Sequence, residues 1–379
     1  MPSTTPSTSD LLIPADLLPR DGRFGAGPSK VRPESVDALA GHGRTILGTS
    51  HRQAPVKDVV RRVRTGMADL FRLPDGYEVL LGNGGATHFW DMAVAGLIAR
   101  RSEHLTFGEF STKFASCAAR APFLEDPHVV PAEPGSHPVP VVRDDVDLYA
   151  LTHNETSTGV AMEIARPDGA TGLVAVDATS AAGGMEVDPA AFDVYYFSPQ
   201  KCFAADGGLW VALCSPVAIE RIASLGGAGR WVPDVLSLPI ALENSRQDQT
   251  YNTPALATLL LLADQVGWML ENGGLAWSAG RSARNASVLY GWAEASPFAA
   301  PFVADPRMRS TVVGTVDLAA EVDGKALTAV LRKNGVVDTE PYRKLGRNQI
   351  RVGLFPAVDA ADVEALTRCV DWVVERLAS

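Results

Sequence analysis

Short runs of β-branched and large apolar residues, bounded by turn residues, alternate along most of this chain with longer segments of helical periodicity. Residues 77–81 read as a strand, followed by a helix from about 87 to 99. Further strands are expected over 146–152, 172–176, 194–197 and 209–214. Near-continuous apolar strands interleaved with helices indicate an α/β domain built on a largely parallel, buried sheet. The stretch 254–270 is apolar almost all round and predicts an interior or interface helix.

After Asn272-Gly273-Gly274 the texture changes. A long helical pattern (276–294) precedes a strand-like run (310–316), a helix over 324–333, a second strand (350–354) and a final helix over 360–377. This order predicts a smaller α+β domain. The chain therefore divides into an arm over residues 1–22, expected to be flexible and to dock on a partner, a large domain over 23–270, and a small C-terminal domain over 271–379. No internal repeat is visible.

Composition narrows the classes of function. With 46% hydrophobic residues in a chain of 379, a sizeable core is assured. A formal net charge of −10 argues against nucleic acid as the main partner, because binding a polyanion needs a basic face. Small anions stay open if a few arginines converge. Cys117, Cys202, Cys214 and Cys369 show no CxxC spacing, so neither a metal site nor a disulfide framework is expected. The first residues lack the basic and apolar regions of a signal peptide, and apolar runs such as 93–99 and 256–263 are too short to span a bilayer. The expectation is a cytoplasmic protein with no membrane partner.

Three features carry chemistry. Gly82-Asn83-Gly84-Gly85-Ala86-Thr87 lies between a strand and a helix, where glycines let amides approach an anion at a helix N-terminus. Its spacing fits neither a dinucleotide fingerprint nor a Walker A loop. Asp177 follows an apolar strand, at the carboxyl edge where ligands of open α/β sheets bind. A carboxylate there can pair with a protonated ring nitrogen, or merely cap a helix. Lys201 closes Asp193-Val194-Tyr195-Tyr196-Phe197-Ser198-Pro199-Gln200, where desolvation can free its amine to attack an aldehyde; the plain alternative is a solvated turn lysine. Each feature alone decides little. Their order, with Lys201 placed 24 positions after Asp177, is more informative.

These blocks, with Gly48-Thr49-Ser50-His51-Arg52, His153-Asn154-Glu155-Thr156 and Tyr251-Asn252-Thr253-Pro254, resemble the phosphoserine aminotransferase family. That family lies in the class V branch of fold-type I pyridoxal-phosphate enzymes. The likeness runs from Asp21-Gly22-Arg23-Phe24 to the last helix and is strongest to actinobacterial members. It implies a Schiff base between Lys201 and pyridoxal 5'-phosphate, with the same amine moving the substrate α-proton. It further implies Asp177 on the ring nitrogen, Thr156 hydrogen-bonded to the cofactor, Phe110 stacked on the ring where many relatives carry Trp, and Gly85, Ala86, Thr87 and Gln200 at the phosphate. Asn252 and Thr253 match residues that reach the cofactor phosphate of a neighbouring subunit, so a homodimer with shared sites is implied. His51 and Arg52 match a substrate phosphate site, also contributed across the interface. Arg351 matches the clamp for the substrate carboxylate, and Arg343 or Arg347 the second anion contact, with the spacing around Tyr342-Arg343-Lys344 departing from the family's His-Arg pair.

The implied reaction is ping-pong amino transfer between O-phospho-L-serine and 2-oxoglutarate, yielding 3-phosphohydroxypyruvate and glutamate. 4-Phosphohydroxy-L-threonine is a possible second substrate by the same resemblance. The competing activity is another class V reaction such as that of alanine–glyoxylate aminotransferase. A desulfurase would need a mobile cysteine and generally His before the lysine. Here Gln200 precedes it, and Cys369 falls in an amphipathic helix. No metal is expected.

Overall fold

The computed structural model describes residues 11–378. Its large domain is built on seven strands: β1 (Glu78–Asn83), β2 (Ser102–Thr106), β3 (His128–Pro131), β4 (Leu148–Thr152), β7 (Leu173–Asp177), β8 (Val194–Phe197) and β9 (Leu209–Cys214), with the small hairpin β5 (Asn154–Glu155) and β6 (Val160–Ala161) beside them. The order across the sheet is β1-β9-β8-β7-β4-β2-β3. Pairings between β8, β7, β4, β2 and β3 are parallel, and β9 runs against both of its neighbours.

Every residue of β4, β7, β8 and β9 is buried, which explains their near-continuous apolar sequences. The period of two still sorts their side chains. Val174, Val176, Tyr195 and Phe197 pack to one side, with α2 (Ala54–Phe71) and α7 (Leu256–Glu271). Leu173, Ala175, Val194 and Tyr196 pack to the other, with α3 (Ala86–Gly96), α4 (Glu109–Ala119), α5 (Pro216–Gly226) and α6 (Leu238–Arg246). The remaining helix of this domain, α1 (Pro33–Ile46), lies against α7.

The small domain has three antiparallel strands, β10 (Ala299–Pro301), β11 (Val313–Leu318) and β12 (Gln349–Gly353), covered by α8 (Gly274–Ala295), α9 (Gly324–Lys333) and α10 (Ala360–Leu377). The first of its expected strands begins later than residue 310. The Ser310 hydroxyl accepts hydrogen bonds from the amides of Val312 and Val313, making a turn before pairing starts.

The arm behaves differently from expectation. Its first ten residues lie outside the described residues, and 11–22 pack on the chain's own small domain. Ile13 is buried, Leu11, Leu17 and Leu18 pack on the same core, and Asn334 Oδ1 accepts from the Ile13 amide at 2.9 Å. Leu11, Ile13, Leu17 and Leu18 thus find cover within the chain, whereas Leu12 is exposed. Phe24, fully buried in that core, also pairs with Val337 and Gly353, so the chain belongs to the small domain until about residue 25.

At the amino ends of the parallel strands Asp193 ties three strands together. Its carboxylate accepts from Arg166 Nη2 (2.6 Å), the Val174 amide (2.8 Å) and Ser215 Oγ (2.9 Å). Truncation would strand the Val174 amide and the Ser215 hydroxyl in the interior and leave Arg166 without its carboxylate. Asp193→Ala is expected to lower unfolding stability by about 3 kcal/mol, read from urea denaturation. A loss under about 0.5 kcal/mol would show that the staple contributes nothing.

Candidate active site

The carboxyl ends of β1, β4, β7 and β8 open on one side of the sheet, and a cavity of about 320 Å³ lies there. Its wall includes Gly84–Thr87, Trp90, Phe110, Asn154, Thr156, Asp177, Gln200 and Lys201. Residues separated by more than a hundred positions meet because each follows the end of a strand.

Lys201 is buried, and its ε-amine donates to the Ala26 carbonyl at 2.7 Å. Burial lowers its pKa from 10.5 to about 8, with the positive charge of Arg351 acting in the same direction. The amine is thus half neutral within reach of physiological pH. Asp177, the last residue of β7, is also buried. Its Oδ2 accepts from Trp90 Nε1 at 3.1 Å and its Oδ1 from the Thr179 amide at 3.0 Å. Burial raises its pKa, opposed by these hydrogen bonds and by Lys201. A desolvated carboxylate of this kind favours a cationic partner.

The loop before α3 takes positive φ at Gly84 (126°) and Gly85 (87°), which non-glycine residues adopt only under strain. Gly85 is the N-cap of α3, so the amides of Ala86 and Thr87 begin the helix without intrahelical acceptors. Partial positive charge from the helix end adds to them. Phe110 is presented by α4, whose N-terminus is capped by the buried Glu155: Oε2 accepts from the amides of Phe110 (3.1 Å) and Ser111 (2.9 Å) and from Ser111 Oγ (2.9 Å), and Oε1 from Ser157 Oγ (2.7 Å). Thr156 Oγ1 and Asn154 Nδ2 both donate to Ser180 Oγ at 2.8 Å.

Arg351, on β12, borders this group. Its Nη1 donates to the Thr156 carbonyl at 3.2 Å, and its guanidinium lies 5.2 Å from the Tyr342 ring. Arg343 and Arg347 do not join it. Arg347 forms an ion pair with Asp317, and Arg343 is exposed on a separate surface cavity beside Arg332 and Glu340. His51, Arg52, Asn252 and Thr253 gather elsewhere again. Asn83 Nδ2 donates to Asn252 Oδ1 (2.9 Å) and the Thr253 carbonyl (2.7 Å), Thr253 Oγ1 lies 3.2 Å from His51 Nδ1, and Arg52 bonds Gln249 and the Tyr251 carbonyl. None of these four residues lines the Lys201 cavity.

Sequence reasoning missed Trp90, Asn83, Glu155, Ser180 and Ser29. Trp90 lies one helical turn into α3 and had no motif to mark it, whereas Asn83 and Glu155 stand inside blocks already singled out. Among the described residues no helix is long and apolar enough to cross a membrane, and no cluster of metal-ligating side chains occurs.

A buried amine, a buried carboxylate, an amide cradle and an aromatic face suit a planar cationic heterocycle that bears an aldehyde and a phosphate. Among the described residues, Asn154 Oδ1 and Gln200 Oε1 at the cavity, together with Arg351 Nε beside it, are buried without a hydrogen-bond partner. Such atoms are rare unless a ligand or water serves them. The residues fit pyridoxal phosphate.

The class-V aminotransferase family model matches residues 138–366. Phosphoserine aminotransferases of Rhodococcus jostii and Rhodococcus opacus are each 62% identical over 98% of this chain and 100% of their own length. A solved phosphoserine aminotransferase of Cytophaga hutchinsonii superposes with a TM-score of 0.86 at 25% identity, covering 93% of this chain and 99% of that one. An aspartate aminotransferase of Thermus thermophilus shares the fold with a TM-score of 0.80.

The lowered pKa of Lys201 is directly measurable. In cofactor-free protein, acetylation of Lys201 followed by mass spectrometry should rise with pH about a midpoint near 8. Folded protein sheds this proton below the 10.5 of an ordinary lysine, so this group makes the fold more stable as pH rises between those values. Arg351→Gln removes a neighbouring cation and should move the midpoint upward, though not to 10.5, since burial is the larger cause. A midpoint near 10.5 in the wild type would place the amine in water.

Proposed function

The chain belongs to the phosphoserine aminotransferase branch of the class-V aminotransferases, and on that premise we propose that it catalyses amino transfer between O-phospho-L-serine and 2-oxoglutarate, with Lys201 as the reacting amine. The observation that carries this reading is the pairing of Lys201 and Asp177 within one cavity, the first with a lowered pKa and the second with a raised one.

Pyridoxal phosphate supplies an aldehyde for amine exchange and a ring that withdraws electrons from the substrate α-carbon. The protein's part follows from its own groups. Asp177 would hold the ring nitrogen in its protonated form, the Gly84–Thr87 amides and Gln200 would hold the phosphate, and Phe110 would cover one face. Thr156, already fixed by Ser180, would meet the ring's polar edge. Lys201, half neutral near pH 8, can accept the proton from the α-carbon and return it to the other end of the transfer. Arg351 presents a planar guanidinium for the carboxylate common to both substrates.

The second anion of these substrates needs a further cation. His51 and Arg52, with Asn252 and Thr253, are placed away from the chain's own cavity, on a face where Arg52 and Tyr251 are exposed. We place them in the cavity of a second copy, so that each active site of a homodimer draws on both chains. An anion-binding cluster outside the cavity it should serve supports this reading. The domain division near residue 272 fits the same scheme, with α7 packing on α2 and α8 on α10.

Three experiments test the function. O-phosphoserine added to purified holoenzyme should bleach the visible absorbance band, and alanine should do so at least about a hundredfold less efficiently, since it lacks the second anion. Equal efficiency would favour an alanine-type transaminase. Lys201→Ala should retain less than about one-thousandth of the turnover, by loss of both the covalent and the proton-moving amine. Near-normal turnover in that variant would overturn the assignment. Arg351→Ala should raise KM for both substrates more than tenfold, the loss of one charge-assisted pair, while the cofactor band persists.

A further inference from the structure

Residues 24–30 run from the small domain into the wall of the active site and touch Lys201 along its length. Phe24 is anchored by the Gly353 amide, which donates to its carbonyl at 2.7 Å; Gly353 ends the strand that carries Arg351. The Ala26 carbonyl accepts from the Lys201 amine. At Gly27, whose φ is 131°, a Cβ would lie 2.3 Å from Lys201 Cε, so a side chain there would be strained and would displace the end of Lys201. The Ser29 amide donates to the Gln200 carbonyl at 2.8 Å, and its buried hydroxyl donates to the Lys201 carbonyl at 2.6 Å. Lys30, 7% exposed, sits 3.6 to 3.9 Å from carboxylates of Asp21, Asp359 and Asp362, the last two at the start of α10.

This strap fixes both ends of one lysine. Lys201 follows the end of β8 by four residues and has left the ladder, so strand pairing no longer sets its backbone. Two hydrogen bonds from Ser29, one on each of two successive carbonyls, join the Ala204 amide, which donates to the Lys201 carbonyl at 2.9 Å, in fixing that backbone. Their other anchor is the small domain, through Phe24 and Lys30. The strap therefore couples the position of the reacting amine to the domain that carries Arg351.

We infer that Ser29 is a positioning residue for Lys201, acting through this strap, and that the Ala26 carbonyl is the resting acceptor for the amine whenever it is free. The inference rests on Lys201 being the reacting lysine. Loss of the Ser29 hydroxyl leaves the cavity's lining chemistry unchanged, because the side chain acts only on main chain. Its effect is on the aim of the amine, and small misplacements of a reacting group are costly in rate.

The test compares Ser29→Ala, Ser29→Thr and wild type. Ser29→Ala should lower kcat about tenfold with KM for O-phosphoserine within twofold, while Ser29→Thr, which keeps the hydroxyl, should recover at least half of the rate. Apart from turnover, cofactor-free Ser29→Ala mixed with pyridoxal phosphate should regain its visible band about tenfold more slowly than wild type. Unchanged kcat and unchanged band recovery in Ser29→Ala would overturn the inference, as would a fall in which Ser29→Thr fails to rescue. Gly27→Ala supplies an independent arm and should slow band recovery more than Ser29→Ala does. Borohydride reduction and peptide mapping of wild-type holoenzyme separate the two layers. A label on another lysine would sink the assignment of Lys201 itself, whereas a label on Lys201 with unaltered Ser29→Ala kinetics would sink only the strap.

Discussion

A primary amine kept out of water dominates the electrostatics of this site, and much of the surrounding architecture follows from it. Lys201 reaches the interior because β8 runs buried to Phe197 and the chain then turns back under the strap of residues 24–30. In that setting a permanent ammonium is unfavourable, which is why its pKa falls to about 8. The neighbouring Arg351 strengthens the effect, while Asp177, Cys202 and Glu155 oppose it. The same desolvation raises Asp177. One low-dielectric cavity therefore tunes two groups in opposite directions, toward a nucleophilic base and toward a carboxylate that favours a cation.

Such a cavity has to be rigid, because buried polar groups out of register are destabilising. Glu155 illustrates the solution. Its carboxylate satisfies the free amides at the start of α4 and two hydroxyls, so the helix that presents Phe110 is held at the cavity by a group that is itself fully hydrogen-bonded. A Cβ at Gly108 would lie 2.3 Å from Glu155 Cγ, and the glycine there lets the carboxylate approach the helix end. At the opposite edge of the sheet Asp193 does comparable work for β7, β8 and β9. The two carboxylates lie at opposite ends of the strands that lead to Asp177 and Lys201.

Much of this was legible from the residues. The strands over 194–197 and 209–214 and the helices over 324–333 and 360–377 have the bounds their patterns predict, because burial on both faces or one strong apolar stripe leaves little freedom. Gly84, Asp177 and Lys201 were legible as strand-end residues, and the structure brings them to one cavity. What could not be read were contacts made by residues without a motif. Trp90 meets Asp177 only because α3 crosses the end of β7, and Ser29 meets Lys201 only because the N-terminal segment passes between domains. The arm misled for a related reason. Among the described residues of the segment read as flexible, Ile13, Leu11, Leu17 and Leu18 find apolar cover on the chain's own small domain.

The arginines show where a single chain stops being a sufficient unit of explanation. Arg351, Arg343, Arg347 and Arg52 were all candidates for two substrate anions, yet of these only Arg351 bonds a residue of the cavity wall, Thr156. Arg347 is neutralised by Asp317, and Arg52 is held by Gln249 and the Tyr251 carbonyl, beside Asn252 and Thr253. Those last contacts are to neutral groups, so Arg52 keeps its charge available to a ligand, which an ion pair would have quenched. On a chain of net charge −10, a guanidinium with no carboxylate partner among the described residues, held in place beside His51, is a specific arrangement. A dianionic substrate whose carboxylate occupies Arg351 would need that second cation brought to it, and the geometry of one chain leaves it elsewhere. In the homodimer proposed above, a second copy would supply that cation, and catalytic competence would be tied to dimerisation through the charge requirement of the substrate.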